Sequence, residues 1–269
     1  MMSKKGQNFT DNDKGVSPVI GMILILVIVT VSIGMIYSTG IPMLDNAKIS
    51  THIQNIHNSF SVLHNNIEEV VRGPITGAGT ARTTEISMDG GTLAVTPNNT
   101  KIEVIYINTT TTTLSWVPGT ISYDYKGTAV IYENGAVFTK YPSGSIVELE
   151  PLIYAANLSS GDVAIMIHII NISGANSSTG GKGTSRVRTY ATEEGFSNIF
   201  TGEVTIVSIN ITSQNYQAWD KYLNTTISRA GATYTSNFLP NDTVVALITN
   251  PGGGISLSIH ETQIRSNVG

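Results

Sequence analysis

No charged side chain falls between Lys14 and Asp45. Within that window Val16 to Tyr37 supplies about the 20 mostly apolar residues that a membrane-spanning helix needs, and Leu44 closes the apolar stretch. Past Asp45 the pattern changes. Ile49, Ile53, Ile56, Phe60, Leu63, Ile67 and Val70 recur in alternating steps of four and three, with Asn, His, Ser, Gln and Glu between them. That spacing predicts a helix with one narrow apolar seam, and Gly73-Pro74 is a helix stop. A continuous helix from about Val16 to Arg72 would run roughly 85 Å at 1.5 Å per residue, and Pro42 is expected to bend or interrupt it. The seam either packs on a sheet of the same chain or forms a free-standing coiled coil.

Beyond Pro74 the apolar period falls to two. Glu85 to Met88 and Thr92 to Val95 flank Asp89-Gly90-Gly91 as a hairpin. Lys101 to Ile107 alternates, and Thr128 to Tyr132 and Ala136 to Lys140 flank Glu133-Asn134-Gly135, where Asn-Gly supplies the positive φ of a tight turn. Ile146 to Leu149, Val163 to Ile170, Ser185 to Tyr190, Val204 to Ile211, Thr243 to Ile248 and Ile255 to His260 continue the series. Val163 to Ile170 is nearly all apolar and reads as a central strand covered on both faces. Gln214 to Leu223 is the one helical interruption, a short helix capping a sheet edge. Asn108 to Ser115 is Thr-rich and reads as exposed. Gly174 to Gly183 reads as a linker between two subdomains or a long hairpin loop within one sandwich. The fold class is α+β: a long N-terminal helix, apolar half then amphipathic half, followed by a mainly antiparallel β-sandwich-like head. The expected divisions are a leader at 1–15, an apolar helix at 16–44, an amphipathic helical stalk at 45–73 and a β-rich head at 74–269.

Composition narrows the environment. Charged residues make up 13% of the 269, and the net charge is −4, with no basic patch of the kind that binds nucleic acid. There is no cysteine, so an exported body must hold together by packing and sheet hydrogen bonds. Lys4, Lys5 and Lys14 precede the apolar run, opposed by Asp11 and Asp13. Acidic residues count little in the orientation rule, so the N-terminus is expected in the cytoplasm and the C-terminal body outside. A cleaved secretory signal would have a shorter apolar run and a small-residue exit, and Thr39-Gly40-Ile41-Pro42 is a poor one. A plain signal anchor fits the run as well.

Lys14-Gly15 followed by Val16-Ser17-Pro18-Val19-Ile20-Gly21 resembles the N-terminus of archaeal type IV pilins and pilin-like proteins with a class III, prepilin-type signal peptide. The strict match covers about eight residues, and the general pilin layout roughly the first seventy. The resemblance implies a cut between Gly15 and Val16 by a membrane prepilin peptidase, with Lys14 marking the cytoplasmic boundary. Gly15 has no side chain to exclude the enzyme, and Pro18 near the new helix start meets N–H groups that have no partner to lose. Bacterial pilins carry a glutamate at the fifth mature position. This chain has Ile20 there, which favours the archaeal branch and removes the usual charge match to the new amine. The resemblance further implies packing of copies of the helix in a filament core, with Pro18, Ile20, Gly21, Ser32 and Gly34 in the packed face. The implied partners are other subunits, the peptidase, an assembly ATPase, a platform protein and the membrane. Tyr216-x-Ala218-Trp219-x-x-Tyr222 and Glu133-Asn134-Gly135-Ala136-Val137-Phe138 resemble segments of large archaeal pilin-like surface proteins.

Candidate enzyme chemistry fails at each place it is sought, and no cofactor or metal is expected. Gly180-Gly181-Lys182-Gly183-Thr184 departs from a phosphate loop, because Gly183 follows the lysine and Asn176 stands at the first glycine position. Gly77-Ala78-Gly79 lacks a third glycine and a preceding strand. His52, His57 and His64 read as solvated helix surface; His57 and His64 lie about 10 Å apart, too far for one ion to bridge alone. His168 and His260 are isolated on strands, and Glu148 and Glu150 share a strand face with no histidine near in sequence. Glu193-Glu194 beside Gly195 reads as a turn, and Asp11-Asn12-Asp13 lacks the rest of a calcium loop. In the part after the leader, sequons occur at Asn98, Asn108, Asn157, Asn171, Asn176, Asn210, Asn224 and Asn241. Asn108, Asn176 and Asn241 fall in expected loops and are the best glycosylation candidates, whereas Asn171 and Asn210 end apolar strands. The expected function is a processed structural subunit of a surface filament with a role in adhesion, first in the membrane and then at the cell surface. The alternative is a surface binding protein that keeps its anchor and does not polymerise.

Overall fold

The computed structural model describes residues 18–72, 80–158 and 160–269. The chain divides into two compact units at the Ser50–Thr51 bond. The N-terminal unit is helical. Helix α1 (Pro18–Met35) starts at Pro18, whose missing N–H costs nothing in the first turn. A five-residue π-helical turn (Ile36–Gly40) follows, and helix α2 (Ile41–Val71) begins directly after it. The π turn is how the chain accommodates Pro42. In a regular α-helix the Pro42 ring would strike the carbonyl of Ser38, four residues back, and remove a hydrogen bond. A widened turn just upstream relieves both. The Ser38 and Thr39 hydroxyls both donate to the Met35 carbonyl, at 3.1 and 2.7 Å, where the ladder changes period. The expected interruption is therefore a change of helical pitch.

From Thr51 onward α2 belongs to the second unit, together with every strand. In chain order the strands are β1 (Ala81–Thr96), β2 (Lys101–Ile107), β3 (Thr111–Trp116), β4 (Thr120–Tyr125), β5 (Thr128–Glu133), β6 (Ala136–Tyr141) and β7 (Gly144–Leu149). They continue as β8 (Ile153–Asn157), β9 (Val163–Ser173), β10 (Ser177–Val204) and β11 (Ile206–Thr212). Helix α3 (Tyr216–Arg229) precedes β12 (Thr233–Leu239), β13 (Thr243–Thr249) and β14 (Ile255–Val268). A nine-stranded sheet has the order β7-β6-β5-β4-β1-β10-β14-β9-β8, and a five-stranded sheet the order β12-β13-β11-β2-β3. All pairs are antiparallel except β14 with β9, which run parallel in the register Ile255↔Val163 to Arg265↔Ser173.

Three layers result. The seam of α2 covers one face of the nine-stranded sheet, and Ile56, Phe60 and Ile67 are fully buried there, with Ile53, Leu63 and Val70 nearly so. Each such side chain contributes roughly 1.5–3 kcal/mol of burial. Ile49, in the helical unit, is half-buried. On the other face the five-stranded sheet and α3 share a core with the large sheet. Val104, Ile209 and Ala246 meet Ile165, Leu257 and Phe138 in that core. The amphipathic seam thus packs on the chain's own sheet, one of its two expected settings.

Several strand expectations need correction. Glu85 to Val95 is no hairpin: it lies within the single strand β1. Asp89 pairs with Lys182 and Thr92 with Gly180, so Gly90 and Gly91 oppose one residue and form a bulge. Gly91 has φ +81°, and a Cβ there would lie 2.5 Å from the Asp124 carbonyl oxygen. The loop expected over Gly174 to Gly183 is only three residues long, because Ser177 to Gly183 pairs with β1 as part of β10. Much of the Thr-rich stretch from Asn108 is the edge strand β3, with Thr111, Thr113 and Ser115 exposed as expected. Glu193-Glu194 lies within β10, at a shift of its register against β14 between Ala191 and Phe196. Strand β9 is second from the sheet edge. Its Val163, Ile165, Ile167 and Ile169 are buried; on the opposite face Met166 is 37% exposed but Ile170 and Ile172 are fully buried, so only the later part of the strand is covered on both faces. Strands β5 and β6 are buried on both faces, with Ala129 to Glu133 and Ala136 to Thr139 all enclosed.

Candidate functional site

Two places carry chemistry distinct from ordinary packing: the bare apolar helix and the cover that α2 makes over the sheet. Among the described residues one helix is long and apolar enough to cross a membrane. No residue of α1 is buried, and Val19, Met22, Ile25 and Leu26 are each about two-thirds exposed or more. Its few polar groups turn back on the helix. Thr30 donates to the Leu26 carbonyl and Ser32 to the Ile28 carbonyl, both at 2.8 Å. The helix therefore shows an apolar exterior with its hydroxyls satisfied internally, as a low-dielectric environment requires. Pro18, Ile20, Gly21, Ser32 and Gly34 all lie on α1, and nothing stands within 4 Å of a Cβ built at Gly21 or Gly34. Lys14, Gly15 and Val16 lie outside the described residues, as do Gly77-Ala78-Gly79 and Asp11-Asn12-Asp13.

The three histidines of α2 do not face solvent. Each is turned toward the sheet, which corrects their reading as a solvated surface. His52 Nε2 lies 2.7 Å from the Tyr123 hydroxyl. That hydroxyl donates to the Gly90 carbonyl in the bulge, so His52 must be the donor of the pair. His57 Nε2 lies 3.0 Å from Thr139 Oγ1, which donates to Glu148 at 3.0 Å. Glu148 thus acquires a histidine neighbour, with His57 Nδ1 at 3.9 Å, that its sequence position gave no sign of. His64 is buried against Tyr132 and sits 3.3 Å from Glu68. Burial lowers its pKa, opposed by Glu68. Asn66 donates to Thr84 at 2.8 Å and Arg82 to Glu69 at 2.7 Å, so polar pins run along both flanks of the seam.

On the opposite face the two segments singled out by resemblance meet. Glu133 is fully buried at the end of β5. Its carboxyl accepts Ser213 Oγ and Asn215 Nδ2 on one oxygen, at 2.8 and 2.9 Å, and Trp219 Nε1 on the other, at 2.8 Å. Burial pushes this carboxyl above its ordinary range, and the hydrogen bonds from Ser213, Trp219, Asn215 and Thr100 pull it back. Asn134 (φ 45°) and Gly135 (φ 81°) form the expected tight turn, and Asn134 Oδ1 accepts the Ile170 N–H at 2.8 Å. The Trp219 ring packs on Phe138, with centroids 5.3 Å apart. This node ties the β5–β6 hairpin to α3 and leaves no space for a ligand.

His168 and His260 are cross-strand neighbours, not isolated residues: their rings are 6.2 Å apart, beside Phe196. His168 bonds Thr262 at 2.8 Å, and burial, with His260 second, lowers its pKa to about 4. No group of three or more His, Asp or Glu among the described residues is placed to hold a metal. Of the sequons, Asn108 lies in the β2–β3 turn, Asn176 between β9 and β10, and Asn241 (φ 66°) between β12 and β13; all three are exposed. Asn171 and Asn210 are half-buried and already bonded, to Glu261 and Ser208.

No solved structure matches the chain. An uncharacterized protein of Archaeoglobus fulgidus is 24% identical over 245 residues, covering 76% of each chain. A family model described as a family of unknown function, DUF7289, matches residues 14–265. With nearly its whole length inside that match, the chain belongs to the DUF7289 family.

Proposed function

We propose that this chain is a subunit of an archaeal type IV pilus-like surface filament, cut between Gly15 and Val16 before assembly. The observation that carries the reading is helix α1, apolar on every side with no residue buried, joined to a β-rich unit that completes its own core. Such a helix needs lipid or copies of itself around it. In the bilayer it holds the subunit; in a filament, lateral helix contacts replace lipid. Gly21 and Ser32 stand about three turns apart on one face, open to close approach by a neighbour. The leader motif, Pro18 near the start of the apolar run, and an archaeal relative support the same reading. The β-rich unit then lies outside the cell, where Asn108, Asn176 and Asn241 are accessible for glycosylation and the head meets other surfaces. Assembly requires the peptidase, an ATPase and a platform protein. The second reading, an anchored binding protein, is favoured by the same exposed helix if the leader stays on.

The test is the N-terminal residue of the protein from its native membrane or surface fraction, read by peptide mass spectrometry. A start at Val16, with the protein recovered in sheared filaments, is the expected result. A retained Met1 or Met2 overturns processing and leaves the anchored form. A start beyond Pro42 makes the apolar run a secretory signal.

A further inference from the structure

The five-stranded sheet covers only part of its side of the nine-stranded sheet. Its rim is Trp116, at the end of β3, whose indole N–H donates to Glu261 Oε2 at 3.0 Å. Past Glu261 the same face is bare. Arg265 and Asn267 on β14, Arg186, Arg188 and Tyr190 on β10, and Thr83 on β1 all point outward and are exposed. The register sets their spacing. Tyr190 is directly opposite Arg265 and Arg188 directly opposite Asn267, so Arg188 and Arg265 form a diagonal of about 7–8 Å across the pair. A groove of about 720 Å³ adjoins them, lined by Ser173, Gly174, Ser177, Tyr190, Arg265 and Asn267.

Arginine pairing separates this face from the rest of the surface. Arg72, Arg82 and Arg186 each have a carboxylate at 2.7 to 3.0 Å. Among the described residues Arg188, Arg265 and Arg229 have none. Arg229 ends α3, where the helix dipole favours a cation. Arg188 and Arg265 have no such explanation, in a chain whose net charge is −4. Tyr190, 39% exposed, lies directly opposite Arg265 and two residues along β10 from Arg188, with Ser and Asn side chains along the groove.

We propose that this bare face binds an acidic polysaccharide, with uronate carboxylates on Arg188 and Arg265 and a sugar ring on Tyr190. Guanidinium forks take planar carboxylates in pairs of hydrogen bonds. The tyrosine offers a flat apolar face to a sugar's C–H groups, and Ser173, Ser177 and Asn267 serve its hydroxyls. Other partners fit less well. At Arg188, Tyr190 and Arg265 the backbone is paired on both sides, so an added peptide strand has no edge to join beside the two arginines. Nucleic acid needs a longer run of cations, and Asp89 and Glu85 already neutralise Lys182 and Arg186 on the same face. The proposal rests on the β-rich unit alone and stands or falls independently of filament assembly.

The experiment is calorimetric titration of the full chain in detergent micelles, made in a bacterium so that Asn176 at the groove's rim is bare. The probes are hexagalacturonate, maltohexaose and hexaglutamate. Hexagalacturonate is expected to bind saturably and more weakly at higher salt, with maltohexaose and hexaglutamate far behind. R188Q/R265Q should weaken it about tenfold or more and Y190A should weaken it without altering the salt dependence. All these side chains are exposed, so equal melting temperatures certify the variants' folding. Absence of saturable binding, binding unchanged in R188Q/R265Q, or equal binding of hexaglutamate with no effect of Y190A each overturns the proposal.

Discussion

Glu133 shows at the level of one side chain how this fold handles a buried charge. Ser213, Asn215 and Trp219 donate to it, and Thr100 adds a fourth side-chain hydrogen bond, so the site is built for acceptor oxygens. Glu133→Gln places an amide NH₂ where an acceptor is needed, and one donor loses its partner. The expected cost is about 1–3 kcal/mol, read as a lower melting temperature. The pH dependence also changes. A raised folded-state pKa means that the folded chain holds this proton at a pH where the unfolded chain has lost it. The group's contribution is full below the ordinary carboxylate range and is lost as pH rises through the raised value. E133Q should flatten that part of the stability profile, and melts between pH 4 and 8 check it. The turn after Glu133 was legible because Asn-Gly meets a positive-φ demand that few residue pairs can. The fate of Glu133 was not, because Trp219 and Asn215 come to it from a helix more than eighty positions away.

Among elements, α2 read most clearly and β1 least. The steps of four and three named six of the eight side chains that α2 buries, all but His64 and Val71, because one helical face against one sheet leaves a strict period. Phe60→Ala at its centre is expected to cost about 3–5 kcal/mol, whereas Asn65→Ala on the exposed side should stay within about 0.5 kcal/mol; denaturant melts of the two variants decide. Asp89-Gly90-Gly91 misled because two glycines serve a hairpin and a bulge equally well. The choice is made by β10 and β4, which pair with β1 from elsewhere in the chain. Ser177 to Gly183 hid as a strand for a related reason. The sheet is uncovered there, so the strand has no apolar face to advertise, and backbone pairing alone holds it. The π turn before Pro42 was legible as an interruption but not in kind. The histidine contacts of α2 were invisible because their partners, Tyr123 and Thr139, lie in strands β4 and β6.

At the scale of the molecule, a self-contained β-rich unit and a helix with no internal partner make different demands on their surroundings. A chain beginning at Thr51 is expected to be water-soluble, monomeric and cooperative in melting, because its seam and the core between its sheets are already buried. The full chain should stay in solution only with detergent or as an assembly, since the face of α1 is a large exposed apolar surface. Sedimentation of the two forms with and without detergent tests this. The order of strands adds a constraint in time. β14 comes last in the chain, yet it lies inside the nine-stranded sheet, between β10 and β9. Until it arrives those two strands present open edges, and a sheet with open edges invites pairing with other chains. The apolar helix, by contrast, leaves the ribosome first. On the reading proposed above, the helix would be held in the membrane long before the head can close, and the closing strand acts as a completeness check. A chain that stops short of Ile255 would be an unfinished body with the edges of β9 and β10 open, exposed to degradation.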